Sequence, residues 1–315
     1  MLSRIANSLF WMGRYIERAE HMARYSRVQY FSALDAPIAQ NKEKALESIL
    51  SMSGLDNIYK KDHKKLVDEQ LLKYLTIDMN NPFSIVSNIN YLRENARGAR
   101  DSLSTELWES INKYYHSVND FSMKASIDED IYDFSMLILD NSAIVKGYID
   151  NTLFRNLEWS SISLGIHLER AVQITRVIIS KLEDIERMDK SQLNTSMENY
   201  QWSTLLKACE SFDMCRRHYK TSPTRKTSIE FMLLNQFFPK SLHFNLSEVQ
   251  MHLQILGLHN SGDKNTIEFY VGKLLAHFQY LQYEEIEHKT MDFMNETISK
   301  LYTIGERLDA EFFGV

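Results

Sequence analysis

Two short segments carry the residues whose types and spacing best suit chemistry. Residues 13–24 read Gly-Arg-Tyr-Ile-Glu-Arg-Ala-Glu-His-Met-Ala-Arg, and residues 165–176 read Gly-Ile-His-Leu-Glu-Arg-Ala-Val-Gln-Ile-Thr-Arg. At a constant offset of 152, five positions are identical: Gly13/Gly165, Glu17/Glu169, Arg18/Arg170, Ala19/Ala171 and Arg24/Arg176. A carboxylate beside a guanidinium supports two kinds of role. It can set helix register through buried ion pairs, which are poor evidence of net stabilisation yet costly to break. Alternatively, the arginines bind an anionic small molecule or a peptide carboxylate, and Glu17 or Glu169 serves as a base or holds an amine. The candidate catalytic residues are therefore Glu17 and Glu169. The candidate binding residues are Arg14, Arg18, Arg24, Arg93, Arg97, Arg100, Arg170 and Arg176.

Helical spacing constrains how these groups can meet. Gly13, Glu17, Glu20 and Arg24 fall on one helical line, as do Gly165, Glu169 and Arg176. Glu17 and Arg24 stand two turns apart, roughly 10 Å along the axis, too far for an easy pair within one helix. An antiparallel crossing of the two helices at their motif centres would set Glu17 against Arg176 and Glu169 against Arg24. Glycine within a helix costs about 1 kcal/mol relative to alanine. Close approach of another helix or of a ligand would account for Gly13 and Gly165. Arginine usage marks the same regions: residues 1–30, 84–100 and 155–176 hold 11 of the 16 arginines and none of the 20 lysines. The planar fork of arginine suits buried or bidentate contacts, whereas lysine suits open surface. Arg93, Arg97 and Arg100 are expected on one helix face.

Other chemistries find less support. Glu17 and His21 are four apart, as are Glu284 and His288, and Glu285-x-x-His288 resembles half of a di-iron helix motif. A second matched Glu-x-x-His is missing, so no metal ligands and no cofactor are assigned. Nucleophile-elbow, zinc-protease and phosphate-loop motifs are absent. The net charge of −6 offers no excess positive field for nucleic acid. Cys209 and Cys215 form no redox or metal motif and are expected as reduced, buried thiols. Trp11, Trp108, Trp159 and Trp202 are read as core anchors, and Tyr25 and Tyr91 as side chains that could line a pocket.

The elements that must position these residues are helices. Four prolines and ten glycines in 315 residues are too few for a turn-rich β fold or a glycine-dependent nucleotide fold. Ile5, Leu9, Met12, Ile16, Ala19 and Ala23 form one apolar stripe, capped by Ser3 and running past Val28. Pro37 falls in the following loop, and a second helix over 38–53 ends at Gly54. A solvated Lys-rich stretch covers 60–65. Asn81-Pro82 starts the next helix, and Ser104 to Tyr115 begins another. Ser126/Glu129 and Thr195/Glu198 read as capping boxes. Phe154 to Leu182 matches the first helix in length and character. Further helices are expected near 200–215, 227–234, 239–256, 266–288 and 291–312, with a turn at Gly262-Asp263. The expected fold class is all-α: a single helical bundle with two long pseudo-symmetric motif helices. It forms one domain over 1–315, with repeats at about 1–150 and 151–315. No run of 18 apolar residues and no signal peptide is present, which points to a cytoplasmic protein without a membrane span.

The opening MLSRIANSLFWMGRYIERAEHMAR resembles the start of the bacterial alpha-E family, named for an α-helical domain with a conserved Glu-Arg motif. The likeness continues over 81–112, 159–176 and 231–244 and so covers nearly the whole chain. Two positions depart from the family pattern. Ile166 stands where an arginine matching Arg14 is typical, and Lys240 stands where a Pro-Arg-Ser pattern usually has arginine. Both argue against a strictly symmetric basic site. The resemblance implies company: alpha-E proteins are commonly encoded beside, or fused to, circularly permuted ATP-grasp proteins, and occur with transglutaminase-like peptidases and proteasome-like hydrolases. The implied role is an accessory or substrate/peptide-binding component of an ATP-grasp-linked pathway that forms peptides or amides. Its partners would be the ATP-grasp ligase, a transglutaminase-like peptidase and an anionic small molecule or peptide. An enzyme using Glu17 and Glu169 as acid–base groups, or a purely structural homo-oligomeric helical module, are the alternatives.

Overall fold

The apolar stripe of the first segment is buried as its period requires. Leu9, Met12, Ile16, Ala19 and Ala23 are all at 0% exposure on α1 (Ser3–Asp35). This computed structural model describes residues 2–35, 42–63, 65–123, 127–188, 191, 193, 195–258 and 263–314. The expectations at Pro37, at the start of the second helix over 38–41, at Lys64, at Ser126 and at Gly262 lie outside those residues. Among the described residues every regular element is helical, and the all-α fold class holds.

The chain continues through α2 (Lys42–Ser53), α3 (Asp56–Asp62), α4 (Asp68–Thr76), α5 (Ile85–Gly98), α6 (Thr105–Ser122) and α7 (Ile127–Thr152). The second half holds α8 (Leu157–Glu186), α9 (Ser196–Ala208), α10 (Phe212–Tyr219), α11 (Arg225–Leu234) and α12 (Leu242–Ile255). It ends with α13 (Ile267–Tyr280), α14 (Tyr283–Ile286) and α15 (Thr290–Leu308). Side-chain caps set many of the starts. Ser84, Ser104, Asn156, Thr195, Thr224, Ser241 and Thr266 each accept a bond from a backbone N–H of the first turn, a contact worth about 1 kcal/mol. Gly54 ends α2 at φ +70°, a conformation that glycine adopts without a Cβ clash.

Several local expectations change. The Lys-rich stretch contributes to α3, and α4 follows it; both helices are too short for periodicity to show. Asn81-Pro82 lies in the turn before α5, whose cap is Ser84. The helix expected over 200–215 is broken between α9 and α10, where Glu210 takes φ 51°. The one expected over 266–288 is likewise broken, because backbone hydrogen bonding stops at Tyr280 and resumes at Tyr283.

The two motif helices, α1 and α8, lie side by side at the centre. α5 and α7 flank α1, α12 and α15 flank α8, and α2 packs on both. Contacts advance together along the pair: Phe10 meets Gly165, Arg18 meets Glu169, Tyr25 meets Ser180, and Gln29 reaches Asp184. The helices therefore run parallel, and the expected antiparallel crossing is wrong. The two glycines make the approach possible. A Cβ on Gly13 would sit 2.1 Å from the Ile162 carbonyl oxygen, and one on Gly165 would sit 2.0 Å from that of Phe10. Phe10 and Ile162 are themselves 152 apart, so each helix makes the same contact on the other.

A second repeat sits on the flanking helices. Pro82-x-Ser84-x-x-x-Asn88 matches Pro239-x-Ser241-x-x-x-Asn245 at an offset of 157. In both copies the serine caps the helix, and the asparagine amide donates to two backbone carbonyls of the turn before it. α5 thus stands to α1 as α12 stands to α8. Buried apolar side chains from Ala6 to Phe313 form one connected core around this arrangement.

Candidate functional site

Where α1 and α8 touch, their two glutamates are removed from water. Glu17 is 0% exposed and Glu169 is 1%. Their partners correspond atom by atom. Arg18 grips Glu169 through Nε to Oε1 at 2.8 Å and Nη2 to Oε2 at 3.1 Å. Arg170 grips Glu17 through Nε to Oε1 at 2.6 Å and Nη2 to Oε2 at 3.0 Å. A second cation sits on each Oε2: Arg14 on Glu169, at 2.6 Å, and Lys146 of α7 on Glu17. One turn onward, Gln173 donates to Glu169 Oε1 at 2.7 Å, and His21 Nε2 lies 3.3 Å from Glu17 Oε1. His21 and Gln173 are again 152 apart. Burial lowers the His21 pKa, so its ring meets the carboxylate uncharged.

Around Glu17 the network extends further. Lys146 also binds Glu20, which pairs with Arg24. Arg24 Nε lies 3.1 Å from Glu210 Oε1, and Lys240 binds Glu210 and stands 3.7 Å from Glu20. Glu169 has no such extension through its own helix, because Val172 occupies the position that matches Glu20.

The electrostatics follow from these partners. Burial alone would raise the pKa of Glu17, but Arg170 and then Lys146 overcome it and hold the carboxyl well below its ordinary range. Burial is likewise outweighed at Glu169 by Arg18 and Arg14, and at Glu20 chiefly by Lys146. All three groups are carboxylates with fixed counter-ions. The guanidiniums of Arg18, Arg24 and Arg170 lose solvation too, yet Glu169, Glu20 and Glu17 respectively keep their pKa above the usual value.

The structure thus gathers Glu17, Glu169, Arg14, Arg18, Arg24 and Arg170, with a different pairing from the expected one. Arg176 does not meet Glu17; it donates to the Ser53 carbonyl at 2.9 Å and to the Tyr302 hydroxyl. Arg24 does not meet Glu169. Parallel packing keeps residues of similar height together, so Glu17 takes the arginine next to its counterpart and not one two turns on. The α5 arginines lie elsewhere. Arg93 bonds Asn112 at 2.8 Å and lies over Tyr115, Arg97 is largely exposed beside Glu94, and Arg100 belongs to the 3₁₀ turn Arg100–Ser102, where it bonds the Leu103 carbonyl. The expectation that these three share one helix face fails, because α5 stops at Gly98.

Sequence reasoning missed Lys146 and Glu210, and noted Lys240 only as a departure from the family pattern. Lys146 is 129 positions from Glu17 and carries no motif of its own. Tyr25 is buried and bonded to Ser48 and Ser180. Trp202 is fully buried, whereas Trp11, Trp108 and Trp159 pack partly buried against the core. Cys209 and Cys215 are free and buried, as expected. Glu284 pairs with Lys226, and Glu285 caps Gln282.

Paired parallel helices, locked by reciprocal Glu-Arg contacts at a glycine crossing, define an all-α protein. The chain belongs to the Alpha-E family, described as a predicted alpha-helical domain with a conserved ER motif, whose model matches residues 1–313. Uncharacterised proteins of Mycobacterium bovis and Mycobacterium tuberculosis are 23% identical to it over 314 residues, covering 95% of this chain. The chain spans about a third of the length of these curated relatives, 34%. No solved structure matches it. Among the described residues, no helix is long and apolar enough to cross a membrane.

Proposed function

We propose that this chain is a non-catalytic helical module of a cytoplasmic pathway that forms peptide or amide bonds with a circularly permuted ATP-grasp ligase. The observation that carries this reading is the state of Glu17 and Glu169. Each carboxylate is buried, held ionised and occupied by two cations and a further polar side chain of the same protein. A general base needs a free lone pair and an approachable proton. An arginine that recruits a substrate anion needs an unoccupied fork. Here both carboxylates and the forks of Arg18 and Arg170 are used internally. The Glu-Arg centre serves as the lock that holds α1 against α8, and contact with the peptide substrate or the ligase falls to the outer helices. Relatives about three times as long support a module that works beside further domains.

The test is co-expression with a circularly permuted ATP-grasp protein of the same organism. Co-purification and a rise in ligase ATP turnover are expected. No complex and no stimulation would overturn the accessory role. The enzyme alternative gains instead if Glu17→Gln keeps its fold and complex formation but loses product formation.

A further inference from the structure

We propose that His167 of α8 with Glu248 and His252 of α12 form a binding site for one divalent transition-metal ion, zinc by its donor set. The site is separate from the Glu-Arg lock and does not depend on the pathway proposed above. One ligand atom from each of the three side chains can be chosen so that all lie within 4.8 Å of one another. Glu248 and His252 are four apart on α12 and so share one face.

The hydrogen bonding prepares His167 to act as a ligand. The Asn245 amide nitrogen donates to the Pro239 carbonyl at 3.0 Å and to the Ser241 carbonyl at 2.6 Å. Its oxygen must therefore face His167 Nδ1, 2.8 Å away. An oxygen there accepts, so Nδ1 carries the proton and Nε2 presents its lone pair. That nitrogen lies 3.7 Å from Glu248 Oε2. Donor atoms on four-coordinate zinc stand about 3.4 Å apart, given bonds of roughly 2.0–2.1 Å. A polar group that binds the far nitrogen of a ligating histidine is the usual outer support of a metal site.

His252 supplies the independent observation. It is 0% exposed, and neither ring nitrogen meets a hydrogen-bonding partner. The ring is stacked on His167 and lies edge-on to Trp159. A buried imidazole without partners is unfavourable, and a metal bond would offset that. The other half of the molecule shows what plain packing looks like at this place. The positions matching His167, Glu248 and His252 are Tyr15, Tyr91 and Asn95. There Tyr15 and Tyr91 simply pack ring against ring at 5.3 Å. Three protein ligands would leave a fourth position for water or an anionic group.

The probes are Zn²⁺ and Co²⁺ added to chelator-stripped full-length protein. Binding of one Co²⁺ per chain is expected, with the visible absorption of a four-coordinate ion that Zn²⁺ displaces. Glu248→Gln should weaken binding by roughly tenfold or more, and His252→Phe, which keeps a ring in the stack, should abolish it. Glu248 is half-buried and the glutamine is isosteric, so that variant decides the matter even if His252→Phe does not fold. Absence of stoichiometric binding, or equal binding by folded Glu248→Gln and wild type, would overturn the site.

Discussion

The two glutamate centres occupy matching positions of the 152-residue repeat yet hold different numbers of helices. Glu169 is served by Arg14 and Arg18 of α1 and by Gln173 of its own helix, so its contacts join two helices. Glu17 is served by Arg170 of α8, Lys146 of α7 and His21. It leads on to Glu20, Arg24, Glu210 and Lys240, and so ties α7 and the segments before α10 and α12 to the central pair. The change that separates them is small. Ile166 occupies the place that matches Arg14, and the lysine of a third helix binds the carboxylate oxygen left without a second cation. A buried carboxylate needs its counter-charge but does not specify which element brings it. A duplicated site can therefore diverge by changing donor while keeping the same bonds.

The largest expected effects come from removing either carboxylate. Glu17→Gln and Glu169→Gln each strand two cations and should cost about 3–5 kcal/mol in urea unfolding. Glu17 should be the more costly because its network reaches further. A loss below about 1 kcal/mol at both sites would mean that the centres are not locks.

The same carboxylates set the acid behaviour of the fold. Their folded pKa values are depressed, while the unfolded chain titrates near 4.3. Below that pH the unfolded state binds protons that the folded state refuses. Stability is therefore full above about pH 5 and falls with acid, by up to ~1.4 kcal/mol per pH unit for each such group. Thermal unfolding followed from pH 6 to pH 2 should show a drop that Glu169→Gln makes shallower.

Next in size is the glycine crossing. Gly13→Ala and Gly165→Ala must each push the backbones apart, at a cost of roughly 1–3 kcal/mol or more. The two losses should be similar, since the contacts are equivalent; a clear inequality in melting temperature would break the symmetry. Lys146→Met tests the divergence itself. It should cost on the order of 1–3 kcal/mol by leaving Glu17 under-compensated. Adding Ile166→Arg should recover a good part of that, and no recovery would show that the lysine does not stand in for the missing arginine. Arg97→Ala, at an exposed position outside both centres, should change stability by less than about 0.5 kcal/mol.

Much of this was legible along the chain. The stripe from Ile5 to Ala23, the 152-residue offset, the in-helix glycines and the concentration of arginine all pointed to two long helices in close contact around paired charges. The His167, Glu248 and His252 group was not noticed, although Glu248-x-x-x-His252 places two ligand types on one helix face. The short helices α3 and α4 and the break at Glu210 had no periodic or glycine signal to give them away.

The amino-acid sequence by itself determined which positions would be small, which charged and which apolar, and so which face of each helix had to be covered and which charges had to find partners. Only the tertiary structure decided the direction in which α1 and α8 run past each other, that Glu17 takes Arg170 and Lys146 in place of Arg176, and that Arg24 turns to Glu20 and Glu210. The physical reason is that helical period fixes the azimuth of a side chain around its own axis. It carries nothing about the direction of the neighbouring helix, and parallel and antiparallel packing of the same two faces match different residues.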